Sequence, residues 1–530
     1  MANYLPEVFT ASEQEVLERY FTNLDSPVFC VQNVPQELAA ALFARYSRSD
    51  KSLRRIFLDE FAADLDHLGS QGRLGDASRT RRLMGRVIGE YGDDSVAQLG
   101  VAHVAVEQVS TVLTRTMERH RLLSFLEQST RYVNLSALRA DGSLRAVIPE
   151  ELQGELALRF HRIVAQEFAL YSKVFDVMAH KLSEGIPDGE VARQRAARAG
   201  ALDIARSCLP MATMTNVGIV GSAQALEYLV VRLRSIGSME SRAVARGISR
   251  EVSTVLGPLV ARMDRPERGG RWTEYLASRQ GAVRNLVDQV LPRPEFELPT
   301  LVDAPTVRLL EFAPDCEDDV IAWMLFEHSG ADFEACQQRS NELSDTEKRA
   351  VFDAYLGDRE NRRHRPSRAW EMITYTFEIE TDYGSYRDLA RHRLLTLLEQ
   401  DPVLIQGYQV DPALIDEGLL EQVDPVFEAA FRFAHQMGEE LGPVARMVLP
   451  MAARVRFVLR LNARELLHVV ELRSQAQGHP AYRRIAQEMY RLVAQVGHRR
   501  VAAAMQFVDL SDHRLGRTAQ EERTIQKLGK

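Results

Sequence analysis

The sequence predicts an α+β protein made of two tandem repeats, each a small antiparallel sheet with many helices. Three observations predict it. The string Arg-His-Arg-Leu-Leu-Ser-Phe-Leu-Glu-Gln from Arg119 to Gln128 returns as Arg-His-Arg-Leu-Leu-Thr-Leu-Leu-Glu-Gln from Arg391 to Gln400, with eight of ten positions identical. A second echo follows in the same order: Ala205-Arg206-Ser207-Cys208-Leu209-Pro210-Met211-Ala212 against Ala445-Arg446-Met447-Val448-Leu449-Pro450-Met451-Ala452. Two ordered echoes imply internal duplication. Third, residues 373–380 alternate apolar and polar side chains, the period-two signature of a half-buried strand, whereas most of the remainder carries helical patterning.

Each element follows from local pattern. The stretch from Val307 has a strand-like start, and helices are expected over 317–327, 151–181, 223–233, 241–259, 462–475 and 482–496. Residues 290–300 hold three prolines and read as a linker, so the expected domains are 1–290 and 301–530, joined by 291–300. At 530 residues the chain is too long for one ordinary core.

Composition narrows the function classes. A net charge of -8 argues against a protein that coats nucleic acid, which needs an extended positive track. No apolar run approaches the roughly 18 residues that span a bilayer, and the N-terminus lacks a basic segment followed by an apolar core. The expectation is a cytoplasmic protein with neither membrane nor nucleic acid as partner. The four cysteines are widely separated and show no zinc or redox spacing, and no metal-ligand cluster is evident. Only six of the 66 basic residues are lysine, so the position of an arginine is informative and the abundance of arginine is not. The string 69–75 has the wrong glycine spacing for a dinucleotide fingerprint, and no Walker loop appears.

Three clusters carry possible chemistry. Arg119-His120-Arg121 reads as a helix end whose basic side chains point about 100° apart, suited either to a solvated charge run or to wrapping a polyanion. Glu127 and Arg131, four apart, form either a helix-surface ion pair or, with Ser129 and Thr130, a phosphate grip. Asn462 and Arg473 are eleven residues apart, about three helical turns, and share one face of an amphipathic helix that also holds His468.

The string from Arg119 to Tyr132, Arg-His-Arg-x-x-Ser-x-Leu-Glu-x-Ser-x-Arg-Tyr, resembles the signature of the flavin-dependent thymidylate synthase (ThyX) family, except that Leu126 stands in place of Asn. The second half is similar at Tyr375-Thr-Phe-Glu, Arg391-His-Arg, Ala445-Arg-x-x-Leu-Pro and Asn462-Ala-Arg. The resemblance implies reductive methylation of dUMP to dTMP, with methylenetetrahydrofolate as carbon donor, FAD as redox carrier and NADPH as reductant. It implies an FAD cradle at Arg391, His392, Arg393, Asn462 and Arg464, with His468 adjacent. It implies dUMP contacts at Glu127, Gln128, Ser129, Thr130, Arg131, Arg206 and Arg391, and a catalytic Arg473 that stabilises negative charge on the uracil. No metal is implied.

Departures from the pattern are complementary. Leu126 and Leu398 replace the motif Asn, and Leu99 and Met372 stand where the family has His. The first half has Ser222, Gln224 and Leu233 where the second has Asn462, Arg464 and Arg473; the second has Asp401, Pro402 and Val403 where the first has Ser129, Thr130 and Arg131. The family builds each site from several subunits of a homotetramer. The resemblance therefore implies one composite site per chain and a homodimer of tandem chains; a reciprocal site with Arg119, His120, Arg121 and Arg446 would be incomplete. Two other readings stay open: a non-catalytic relative that binds nucleotide or flavin, and a flavoenzyme acting on another uridine-like substrate.

Overall fold

The computed structural model describes residues 4–34, 36–62, 96–291, 295–405, 407–512, 516, 518, 521–522 and 525–526. The glycine string 69–75 and part of the proline-rich stretch, 292–294, lie outside the described residues. The chain forms two compact units. The first comprises 1–173, 208–297 and 422–450; the second comprises 174–207, 298–421 and 451–530. Each unit thus takes a helical segment from the other half of the sequence.

The first unit holds an antiparallel sheet of β1 (Val28–Val31), β2 (Val101–Ser110), β3 (Leu123–Glu127) and β4 (Met214–Ser222), in the order β1-β2-β4-β3. The second holds β5 (Thr306–Phe312), β6 (Thr374–Asp382), β7 (Thr396–Glu399) and β8 (Arg454–Asn462), in the order β5-β6-β8-β7. Residues equated by the two sequence echoes occupy the same ladder positions: Ser124 faces Val220 and Thr396 faces Arg460, while Leu126 faces Gly218 and Leu398 faces Val458. The duplication is therefore one of register as well as sequence. One difference is a bulge in β2 between Val106 and Val109, where Gln108 adopts a φ of 56°; β6 pairs with β8 without a shift. A left-handed non-glycine residue is uncommon, and this one is held by Asn216 Oδ1, which accepts its N–H at 2.9 Å.

In both units a strand runs into a helix through a capping side chain. Ser222 caps Ala223–Ser235 and Asn462 caps Ala463–Arg473; Ser110 caps Thr111–Glu118 and Asp382 caps Tyr383–Leu389. Each oxygen accepts a first-turn N–H that the helix leaves unpaired, worth about 1 kcal/mol. The other expected helices are present as Gly154–Ser183, Met239–Leu256, Cys316–His328 and Pro480–Gln495.

Strand β6 departs from the half-buried expectation. Tyr375, Phe377 and Ile379 are fully buried on one face, each burial contributing about 1.5–3 kcal/mol. On the opposite face Thr376, Glu380 and Asp382 are also buried, while Glu378 is half-buried and Thr374 exposed. That face is covered where its polar atoms are paired: Glu380 accepts from Arg454 at 2.7 Å and Arg456 at 2.8 Å, and Thr376 donates to Glu311 at 3.0 Å. Among the described residues no helix is long and apolar enough to cross a membrane.

A half-buried carboxyl in the first unit, Glu240, supplies a stability test. Glu240 accepts from Ser110 N and Ser110 Oγ, both at 2.7 Å, yet burial pushes its pKa up to about 7. The folded pKa exceeds the unfolded value near 4.3, so this contribution is full below about pH 4, falls as pH rises through 7 and changes no further above. Glu240→Gln keeps an acceptor for the Ser110 amide and cannot ionise. Thermal unfolding measured from pH 4.5 to 8 should show the variant gaining on wild type as pH rises; parallel curves would contradict this.

Candidate functional site

The residues assigned to FAD and to catalysis converge in the second unit, around the joint between β8 and the helix Ala463–Arg473. The capping geometry uses the Asn462 side chain, whose Oδ1 accepts Glu465 N at 2.9 Å. One turn further on, Glu465 and His468 face His392, which follows the helix Tyr383–Leu389. Arg473 is the last residue of its helix and reaches the same histidine.

That helix is fixed from behind. Arg359 donates through Nη1 and Nη2 to the two carboxylate oxygens of Glu471, at 2.8 and 2.7 Å, and both side chains are essentially inaccessible to solvent. Arg359 also donates to the carbonyls of His364 and Ala504, and Glu471 accepts Phe507 N at 3.3 Å. The planar fork of arginine matches a carboxylate bidentately, and the added bonds satisfy what burial would otherwise leave unpaired.

Arg473 donates through Nε to His392 Nε2 at 2.9 Å, and its guanidinium lies 5.4 Å from the ring centre of Tyr482. Nη1 and Nη2 have no hydrogen-bond partner among the described residues, leaving the two-pronged end of the side chain open. His392 Nδ1 lies 3.4 Å from Glu465 Oε1, at the outer limit of a hydrogen bond. Burial, then Arg473 and Arg365, hold His392 well below the usual histidine pKa, so its ring is neutral. Burial and Arg365 likewise bring His468 down to about 4. Burial raises the pKa of Glu465, opposed by His468, Arg365 and Arg464.

Donor atoms of His392, Glu465 and His468 lie within 4.8 Å of one another. As a metal set they are poorly arranged: Arg473 occupies His392 Nε2, and guanidinium groups already depress both imidazoles. A dication would add to that positive field.

The flanking arginines differ in exposure. In the triplet Arg391-His392-Arg393 the histidine is buried and Arg391 exposed; in Arg119-His120-Arg121 the histidine is again buried and Arg121 exposed. Neither triplet is helical, which corrects the helix-end expectation: the helix Thr111–Glu118 ends first, and the triplet forms the turn into β3. Burying the middle residue of three is what an extended turn does. Arg464 donates to the Pro366 carbonyl at 2.8 Å and to Glu371 at 3.2 Å.

The residues assigned to the nucleotide phosphate belong to the first unit, apart from Arg206 and Arg391. Glu127 ends β3 and Arg131 lies in the turn after it, so the two do not sit on a helix surface as the four-residue spacing suggested. Glu127 is buried and accepts from Thr114 at 2.8 Å. The loop is anchored by its backbone: Gln128 N donates to Asn216 O at 2.8 Å, Ser129 N to Ser47 O at 3.0 Å, and Arg131 N to Ser129 Oγ at 3.2 Å. Gln128 donates its side-chain amide to Ser49 O at 2.6 Å, and Thr130 is buried. Gln128 also lines a cavity of about 310 Å³ together with Glu107, Arg139 and Arg145. Arg446 lies in the first unit, and its Nε has no hydrogen-bond partner there.

Arg206 belongs to the second unit, where it pairs with Asp388 at 3.3 Å and lies close enough to Gly384 that a Cβ there would meet its Nη2 at 3.4 Å. Its Nη2 is buried without a partner, as is Gln409 Oε1, and both residues line a cavity of about 30 Å³. That space holds little more than water, so a phosphate would have to displace side chains here.

Sequence reasoning missed Glu465, Tyr482 and the Arg359–Glu471 pair. Glu465 is one of several polar residues on the helix expected over 462–475, and nothing local distinguishes Arg359 from the other arginines.

A family model described as thymidylate synthase complementing protein matches residues 31–256 and 308–497. A UPF0159 protein from Chlamydia muridarum is 30% identical over 528 residues, covering 97% of this chain and 98% of its own length. A UPF0159 protein from Thermoplasma acidophilum is 29% identical over 524 residues, covering 92% and 99%. A flavin-dependent thymidylate synthase from Corynebacterium efficiens is 27% identical over 179 residues, covering 32% of this chain and 67% of its own.

The geometry makes a stability prediction. Arg359→Leu leaves Glu471 buried without its cation and should destabilise the second unit by about 3–5 kcal/mol. Denaturant unfolding of the variant should show that loss; a change under about 1 kcal/mol would mean the pair does not hold the helix.

Proposed function

Because the chain belongs to the thymidylate synthase complementing protein family, we propose that it is a flavin-dependent thymidylate synthase. In this reading it converts dUMP to dTMP by reductive methylation, using methylenetetrahydrofolate, FAD and NADPH. The observation that carries the reading is Arg473: its Nε is anchored on a neutral histidine, its plane is packed near Tyr482, and its terminal amines are open.

The residues of the second unit fit an FAD diphosphate. Arg391 and Arg393 flank buried His392, and Arg464 stands in the first turn of the helix Ala463–Arg473. A helix N-terminus with guanidinium groups beside it is suited to an anionic diphosphate. The Arg464–Glu371 pair is partly exposed on both sides, and such pairs contribute about 1 kcal/mol or less, so Arg464 exchanges partners at little cost. FAD, when bound, would supply the two-electron carrier between NADPH and the transferred carbon.

The chain's own residues have separable tasks. Making uracil C5 nucleophilic puts negative charge on N3 and O4 of the ring. An open guanidinium fork stabilises that charge most when it is fixed beforehand and need not reorganise. His392, being neutral, holds Arg473 without adding a second positive charge. The proposal needs no cysteine nucleophile, and all four cysteines are buried. By the sequence resemblance, Ser129, Thr130 and Arg131 of the first unit are assigned to the phosphate of dUMP.

A second reading rests on exposed apolar groups. Met372 and Leu398 are 52% and 64% exposed at positions where the family pattern has His and Asn. Apolar surface there favours a flavoenzyme acting on a different uridine-like substrate. Turnover of UMP exceeding that of dUMP would select it.

Arg473→Ala should leave flavin content unchanged and lower tritium release from 5-labelled dUMP by about 10²–10³. Equal rates would remove Arg473 from the chemistry. Counted as sequence, the chain carries one Ser-x-Arg loop, at Ser129–Arg131, and one Asn-Ala-Arg with a catalytic Arg, at Asn462–Arg473, so calorimetry should return one dUMP per chain, lost in Arg131→Ala and kept in Arg119→Ala. Two equal sites per chain would contradict that count.

A further inference from the structure

The contacts of His392 contain a constraint on its protons. Arginine is a donor only, so His392 Nε2, 2.9 Å from Arg473 Nε, must accept. A neutral imidazole has one N–H, which is then on Nδ1, the atom facing Glu465 Oε1 at 3.4 Å. Glu465 is buried, and its carboxylate is the acceptor that favours this tautomer.

We infer that Glu465 is a positioning residue: it fixes the tautomer of His392, and His392 in turn aims Arg473, leaving both terminal amines of the guanidinium free for the substrate. The chain of contacts is Glu465 to His392 to Arg473, with Tyr482 beside the guanidinium. Glu465 and Arg473 sit on one helix whose far face is held by Arg359, so the helix sets the separation of the two groups while the histidine bridges them. With the opposite tautomer, two N–H groups would face each other across 2.9 Å and Arg473 would be pushed away.

The first unit shows the same position without the device. His120 corresponds to His392, but Ala225 stands where the second unit has Glu465 and Leu233 where it has Arg473. Both ends of the chain of contacts are absent there. The histidine alone therefore does not account for an acid at 465.

The effect of Glu465 on turnover rests on the proposed function, but the tautomer does not. Selective 15N-histidine labelling of the full-length protein, with His392 assigned by difference against His392→Gln, reports which ring nitrogen carries the proton. The expected result at neutral pH is an unprotonated Nε2 and a protonated Nδ1. In Glu465→Leu the Nδ1–H loses its acceptor, and the spectrum should show exchange between forms. Glu465→Gln retains a carbonyl acceptor and should restore the single tautomer. In the tritium-release assay Glu465→Leu should lower kcat at least tenfold with flavin content and KM little changed, and Glu465→Gln should recover most of it. A proton on Nε2 in wild type, or an unchanged tautomer in Glu465→Leu, overturns the inference. If the tautomers behave as expected but no variant, wild type included, acts on dUMP, the inference stands and the proposed function falls.

Discussion

The buried bidentate pair between Arg359 and Glu471 is the interaction on which the second unit's chemistry depends. Glu471 lies two residues before Arg473, and the helix that carries both begins at Asn462, the cap that ends β8. Anchoring one side of the last turn fixes the azimuth of the residues on the other, because side chains on a helix are set by its rotation. Asn462 fixes the start and Glu471 the end. Glu465, His468 and Arg473 then have no freedom except their own rotamers. A pair this deeply buried is weak evidence for net stability, since desolvation offsets much of the attraction. Its value lies in orientation.

The two units show what duplication allows. Their sheets keep the same strand order and the same register, so the scaffold is preserved. What differs is the dressing at equivalent positions: a serine cap against an asparagine cap, Ala225 against Glu465, Leu233 against Arg473. A scaffold of this kind tolerates loss of a functional side chain in one copy when the other copy retains it, and the losses here are complementary in the sequence. The first unit meanwhile carries a bulge in β2 and a left-handed Gln108, whereas the equivalent strand β6 pairs with β8 without a shift.

Much of this was legible in the sequence for a physical reason. Ladder register is fixed by hydrophobic alternation and turn length, so strings such as Arg119–Gln128 and Arg391–Gln400 that keep their spacing also keep their pairing. The helix that begins at Asn462 was equally readable from its apolar pattern over 462–475. What was not legible depended on partners distant in sequence. The polar side of β6 reads as solvent-facing until Arg454 and Arg456 are seen to neutralise Glu380. Arg-His-Arg reads as a helix end until the turn buries its histidine. Glu465 reads as one polar residue of an amphipathic helix, and only its place against His392 singles it out.

On the proposed function, the second unit would hold the flavin and a prepositioned cation for nucleotide chemistry. The most direct measurement is the visible absorption spectrum of the purified full-length protein, taken before and after addition of NADPH and dUMP. Wild type should show a bound-flavin band that bleaches with NADPH and is perturbed by dUMP, and Arg473→Ala should lose the response to dUMP. A colourless protein that takes up no added FAD, or a flavin band indifferent to both ligands, would contradict that function.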